Sequence, residues 1–153
     1  MAAATEAFTS AGTVIGIDQG NEPASYDNTG FVALTYEPIG EITEAGEFGR
    51  QYNLVTHLRL DERRTVKRKG SFNDGQMTLQ IARVSADTGQ ADLITDLTLD
   101  ANSAFRVTLQ DGTFLYFTAQ VLSYTTNIGG TDQITGSTVV IEITNDIIET
   151  APA

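Results

Sequence analysis

Cysteine and tryptophan are absent from the 153 residues, histidine occurs once, and only nine Lys and Arg side chains stand against 20 Asp and Glu. The lack of cysteine excludes disulfides, thiol catalysis, zinc ribbons and iron–sulfur ligation together, whatever the redox compartment. Only metals that take oxygen ligands stay open. The shortage of bases leaves a formal charge of −11. DNA affinity comes largely from Lys and Arg neutralising phosphates, so a DNA-binding role starts badly. No apolar run approaches the ~18 residues that cross a bilayer. Met1 to Ser10 has neither a basic n-region nor a continuous apolar h-region, so no membrane span and no secretion signal are expected.

What is present describes a folding domain. Hydrophobic residues make up 41% and charged residues 19%, which is ordinary for a globular protein and too apolar for an acidic disordered tail. A single domain over 1–153 with short flexible termini is expected, and folding at this length hides roughly 70% of the unfolded chain's surface.

The charge is segregated. Residues 1–49 carry eight acids and no base, residues 107–153 carry five acids and no base, and seven of the nine bases fall between 50 and 69. These are Arg50, Arg59, Arg63, Arg64, Lys67, Arg68 and Lys69. The plain reading of such a run is a solvated loop or strand face. The sharper one is self-assembly, because acidic ends and a basic belt complement each other between copies, and such complementarity sets register and partner choice.

Alternation dominates the apolar pattern. Phe105, Val107 and Leu109 alternate with Arg106, Thr108 and Gln110. After Asp111-Gly112, read as a primed two-residue turn, a strand from Thr113 to Tyr124 is apolar on both faces and belongs where both are covered. A second hairpin is expected at Asn73-Asp74-Gly75, joining 64–72 to 76–84. Further strands are expected at 13–17, 31–38, 52–60 and 138–145. One helix is expected, opened by the capping box Asp87-Thr88-Gly89-Gln90, with Ala91, Leu93, Ile94 and Leu97 on its apolar face and an end near 100–103. Asp18 to Gly30 and Asn127 to Gly136 read as linkers. The fold class is therefore mostly β: an antiparallel β-sandwich or small barrel with one flanking helix. Open strand edges in such a fold are blunted in a monomer or paired between subunits in an oligomer.

Chemistry is sparse. His57 lies in an alternating strand without triad partners and reads as a surface residue. Glu37, Glu41, Glu44 and Glu47 are interleaved with Pro38, Gly40, Gly46 and Gly49 and read as solvated carboxylates rather than an acid–base pair. The oxygen-rich segments around Asp18 and Asp27 lack the spacing of a Ca²⁺ loop. There is no phosphate loop and no nucleophile elbow, and the aromatic residues fall at core spacing. No enzyme, cofactor or metal is expected.

The stretch from Phe48-Gly49-Arg50-Gln51-Tyr52 to His57, then Arg63-Arg64-Thr65-Val66-Lys67-Arg68-Lys69-Gly70-Ser71, Met77-Thr78-Leu79-Gln80 and Asp87-Thr88-Gly89-Gln90, resembles the tail tube proteins of long, flexible, non-contractile bacteriophage tails. The likeness is clearest over 46–97. It implies a structural subunit of the virion tail, made in the host bacterial cytoplasm, that forms hexameric rings stacked around a lumen. Its implied partners are itself and the tape-measure, tail-terminator and baseplate proteins, with DNA passing transiently. A stacking arm then falls at 47–69, with Arg50, Arg63, Arg64, Lys67, Arg68 and Lys69 as its contacts. The immunoglobulin-like C-terminal domain of some relatives is not expected after Asn145. Lumen carboxylates are assigned to Glu37, Glu142 and Asp146, opposite apolar strand positions. Two alternatives stand beside this reading: the tube of a gene-transfer or secretion-type particle, and a monomeric β-sandwich that binds carbohydrate or protein.

Overall fold

The computed structural model describes residues 6–151; most of the expected flexible ends, the alanine-rich start and 151–153, lies outside them. In chain order the elements are β1 (Val14–Asp18), α1 (Asn28–Val32), β2 (Glu37–Pro38), β3 (Ile42–Ala45), β4 (Gln51–Leu58), β5 (Thr65–Asn73), β6 (Gln76–Ala82), α2 (Thr88–Leu97), β7 (Ser103–Thr108), β8 (Phe114–Asn127), β9 (Gly136–Ile143) and β10 (Ile148–Thr150). One antiparallel sheet runs β2-β1-β7-β8-β9-β6-β3, with β10 added to β8, and β4-β5 form a separate two-stranded sheet.

The large sheet curls onto itself through the segment 37–45. Its first part pairs with β1, and the Ile39 N–H donates to Ile15 O (2.8 Å). Its second part pairs with β6, and the Ala82 N–H donates to Glu41 O (2.8 Å). Between them the chain swings across at Glu41, the one described non-glycine residue with a positive φ, 58°. The two ends of the sheet are therefore neighbouring parts of one chain segment, each paired on one side only.

Strand alternation fills the interior. Ile15 and Ile17, Met77, Leu79 and Ile81, Phe105 and Val107, Phe117, Ala119 and Val121, and Val139, Ile141 and Ile143 form one buried core. The Phe105 and Phe117 rings stack at 5.6 Å and Phe48 meets Phe117 at 5.6 Å. Because Phe117 is fully buried and shares two ring contacts, Phe117→Ala is expected to cost about 3–5 kcal/mol of unfolding free energy. Urea titration checks it, with an unchanged m-value marking a loss of packing alone.

The outer face of β7 and of the first part of β8 is covered too, but the cover expected over 113–124 stops short of Leu122, which is 55% exposed. Phe31, Tyr36, Ala104 and Tyr116 form a second cluster, joined by Tyr26, Leu34, Phe114 and Ile148. Here the expected strand 31–38 is replaced by α1 and the two residues of β2. The cause is local: the Asp27 carboxylate accepts from the Gly30 N–H (2.9 Å) as an N-cap, and the helix drives Phe31 onto Tyr116. A Cβ at Gly30 would lie 2.0 Å from Ser25 O, so only glycine permits this turn.

Three other local expectations change. At Asp111-Gly112 only Gly112 has a positive φ, 92°. The Gly112 N–H donates to Leu109 O and the Leu109 N–H to Thr113 O, so the link is a three-residue turn with a glycine bulge rather than a primed two-residue turn. Asn73-Asp74-Gly75 is a turn but not a hairpin: β5 pairs with β4, whereas β6 pairs with β9 and β3. The helix after Asp87 ends at Leu97, earlier than expected, because Ser103 is already paired with Ala119 at the start of β7.

α2 closes the flank of the curled sheet, and its buried stripe is more polar than its sequence suggests. Gly89, Gln90, Leu93 and Asp96 are buried, while Ala91, Ile94 and Leu97 are exposed. Asp87 caps the helix by accepting from the Gln90 N–H (3.0 Å), and its carboxylate also takes the Gly40 N–H (3.1 Å). The Gln90 side chain does not return to its own cap. It donates to Gly40 O and Ala82 O and accepts from the Val84 N–H, tying helix, corner and β6 together. Asp96 accepts from the Ser103 hydroxyl, and burial pushes its carboxyl above the ordinary Asp value.

Candidate functional site

The basic belt forms a freestanding arm. Apart from the chain links at its root, β4 and β5 pair only with each other, in register from Gln51↔Asn73 to Leu58↔Thr65 with one bulge between Tyr52 and Leu54. Every residue of β4 is exposed. Strand rise puts its far end about 27 Å from its root at ~3.4 Å per residue. Opposed residues share a face, so Leu54/Lys69, Thr56/Lys67 and Leu58/Thr65 lie on one side and Val55/Arg68 and His57/Val66 on the other. His57 is thus an arm surface residue. Among the described residues Arg63, Arg64, Lys67, Arg68 and Lys69 make no ion pair, whereas Arg59 is held by Asp61 and Glu62.

Arg50 differs from the other arm bases. At the root it binds the carboxylate of buried Asp74 (3.3 Å) and that of Asp146, with its guanidinium 4.0 Å above the Phe72 ring. The Asp146 carbonyl in turn accepts from the Tyr26 hydroxyl. Arg50 and Asp146, assigned separately to stacking and lumen, are therefore bonded to each other inside one subunit. Glycines flank the arm on both sides, with Gly49 at φ 150° and Gly75 at φ 84°.

A second surface faces outward from the sheet. Reading across β6, β9 and β8, the rows opposite the core are Gln76/Glu142/Gln120, then Thr78/Val140/Ser123, then Gln80/Thr138/Thr125. Glu142 is the only ionisable side chain in these rows, and no Lys or Arg enters them. Glu37 stands elsewhere, exposed on the short edge strand β2, near Asp92 of α2, whose carboxyl is raised by burial and then by the charges of Glu37 and Asp18. The three carboxylates expected at a lumen thus do not share a face.

Among the described residues no three His, Asp or Glu side chains cluster to hold a metal ion. The remaining cavity of interest is a cleft of about 360 Å³ where β1 and β3 diverge, lined by Ile15, Ile42, Phe48, Met77, Val107 and Leu109 with Glu44 at its lip.

Residues 22–149 match the family described as lambda phage tail tube protein, TTP. The chain belongs to that family. It is a tail tube subunit, mostly antiparallel β, as the resemblance over 46–97 implied. No curated relative matches it in sequence. In fold it is similar to a chain of the native gene transfer agent virion at 13% identity, TM-score 0.70, covering 95% of this chain and 100% of that one. It is likewise similar to a chain of the anti-feeding prophage baseplate at 14% identity, TM-score 0.69, covering 97% of each. The SPP1 tail tube protein superposes at 10% identity, TM-score 0.64, covering 91% of this chain and 76% of that one. At these identities the likeness bears on the fold. Sequence reasoning missed the Arg50–Asp146 link, which joins residues 96 apart and leaves no local signal, and the cleft, which two distant strands create.

Proposed function

We propose that this tube subunit forms homohexameric rings that stack into the tube of a long non-contractile tail, with β4 and β5 as the stacking arm and the β6-β9-β8 outer face as the channel wall. One observation carries the reading: a hairpin outside the curled sheet holds five bases without an acid partner among the described residues, in a protein whose charge is otherwise acidic. Acids on neighbouring copies are the most available counter-charge. Arg63, Arg64, Lys67, Arg68 and Lys69 make the contact, and Arg50 sets the arm on the subunit.

The wall chemistry suits a conduit. Phosphates are held by Lys and Arg through counterion release, and a wall of Gln, Thr and Ser with Glu142 offers no cation to hold them. Of the expected lumen carboxylates, Glu142 is the one on this face. The subunit is then made in the host cytoplasm, joins tape-measure, terminator and baseplate proteins in the tail, and does its work by self-association without a catalytic step.

Concentrating the purified protein is expected to convert subunits into hollow tubes of stacked rings in negative-stain micrographs. Cryo-EM of those tubes is expected to show Gln76, Gln120 and Glu142 facing the channel. A strictly monomeric species at high concentration overturns the assembly reading and favours a binding module. Tubes whose wall is dominated by Arg and Lys overturn the channel assignment.

A further inference from the structure

The far end of the arm carries an apolar group with nothing to cover it. Leu60 is 108% exposed and Leu58 73%, and Arg63 and Arg64 follow in the same turn. At the opposite extreme, the cleft between β1 and β3 has a mainly apolar interior with Ser10, Thr13 and Thr43 also on its wall, and its lip carries Glu44, an exposed acid with no ion-pair partner among the described residues. Both lips are strand edges: β3 pairs with β6 on one side only, and β1 meets β2 only at Gly16 and Ile17, leaving Val14 open on that side. Knob and hole match in polarity, and their flanking charges are opposite.

An arm does not reach its own cleft. Phe48, which lines the cleft, precedes the first residue of β4 by three positions, so the cleft lies at the arm's root while Leu60 lies beyond the far end of a strand about 27 Å long. The occupant must come from another molecule. Knob and hole occupy different parts of the surface, so a pair joined by one such contact keeps a free knob and a free hole at its two ends, the geometry of an open stack.

We propose that the β1–β3 cleft receives the arm tip of a second copy of this chain, with Leu60 and Leu58 entering the apolar interior and Arg63 and Arg64 meeting Glu44 at the lip. The proposal rests on the reading of the arm as a stacking element and names what the arm stacks into.

The cysteine-free sequence gives a direct test. Leu60→Cys and Ala45→Cys, the latter on the cleft wall, are introduced together, tubes are assembled and oxidised, and the products are run on a non-reducing gel. A ladder of covalent multimers is expected, because disulfide bonding requires Cβ atoms about 3.5–4.5 Å apart. Leu60→Cys with Ser123→Cys, on the polar face, is expected to stay monomeric. Separately, Leu58→Asp with Leu60→Asp is expected to melt like wild type and to need at least about a tenfold higher concentration to polymerise. Cryo-EM of wild-type tubes gives a reading free of any substitution, with the tip either in the cleft or elsewhere. Tubes with no ladder above the control, or with the tip outside the cleft, overturn the proposal. So does a disulfide between Phe8→Cys and Ala45→Cys in dilute monomer, which assigns the cleft to the chain's own N-terminal segment. If stacking is lost in an arm charge-reversal variant while the ladder is absent, the cleft alone is wrong; if that variant polymerises like wild type, the arm reading falls first.

Discussion

Reversing two charges on the arm, Arg64→Glu with Lys67→Glu, is expected to prevent stacking at concentrations where wild-type subunits form tubes, with thermal unfolding unchanged. Both side chains are exposed and make no ion pair among the described residues. The ladder between β4 and β5 is made by backbone, so neither substitution removes a bond that holds the hairpin. A single exposed ion pair contributes ~0.2–1 kcal/mol, too little to hold two molecules together. In the proposed tube the arm would repeat around every ring, and each ring would add its pairs in parallel, so the sum would reach several kcal/mol per ring. Reversal turns each attraction into a repulsion. Added salt is expected to weaken wild-type stacking in the same direction, because the Debye length falls to roughly 8 Å at physiological ionic strength and further above it. Sedimentation across a salt series reads both effects. A folded double variant that polymerises like wild type assigns stacking to apolar contacts and leaves the belt as a solvated strand face.

The parts legible in the sequence are those decided by neighbours along the chain. Met77, Leu79 and Ile81, and Val139, Ile141 and Ile143, alternate because one face of each strand is buried, and burial follows that alternation. Asp87 is a cap because its carboxylate needs only the N–H three residues on. Partner choice is a different matter. Asn73-Asp74-Gly75 specifies a reversal of direction and says nothing about which strand lies alongside, so an apparent β5–β6 hairpin became a junction between arm and sheet. The same limit hid the root of the arm and the cleft: nothing near Arg50 announces Asp146, and nothing near Ile42 announces Ile15. On α2 the expectation failed for another reason. Apolar spacing pointed to Ala91, Leu93, Ile94 and Leu97, of which only Leu93 is buried, because the helix is tied to the corner through hydrogen bonds at Asp87 and Gln90, which turn a polar stripe inward. The exposed Ile94 and Leu97 are the consequence.

That corner sets the second large effect. Gly89→Val is expected to leave the protein mostly unfolded or insoluble, a loss of about 4 kcal/mol or more against a typical 5–15 kcal/mol of total stability. A Cβ at Gly89 would stand 2.3 Å from Pro38 O and 2.7 Å from Ile39 Cα. Both are backbone atoms, so no rotamer change relieves the overlap, and either α2 or the segment 37–45 has to move. If the helix retreats, Asp87 loses the Gly40 N–H and Gln90 loses the Gly40 and Ala82 carbonyls, leaving buried polar groups unpaired at about 1–3 kcal/mol each. If the segment retreats, the Ile39 and Glu41 bonds that bring the two ends of the sheet together are broken, and the β1–β3 cleft widens with them. Ala91→Val is the control: it lies on the exposed side of the same helix and loses only helix propensity, at most about 0.7 kcal/mol. Circular dichroism melts of the two variants separate a steric clash at the corner from a general weakening of α2. A Gly89→Val protein within about 1 kcal/mol of wild type means that the helix does not brace the corner, and that closure of the sheet rests on the pairing of 37–45 alone.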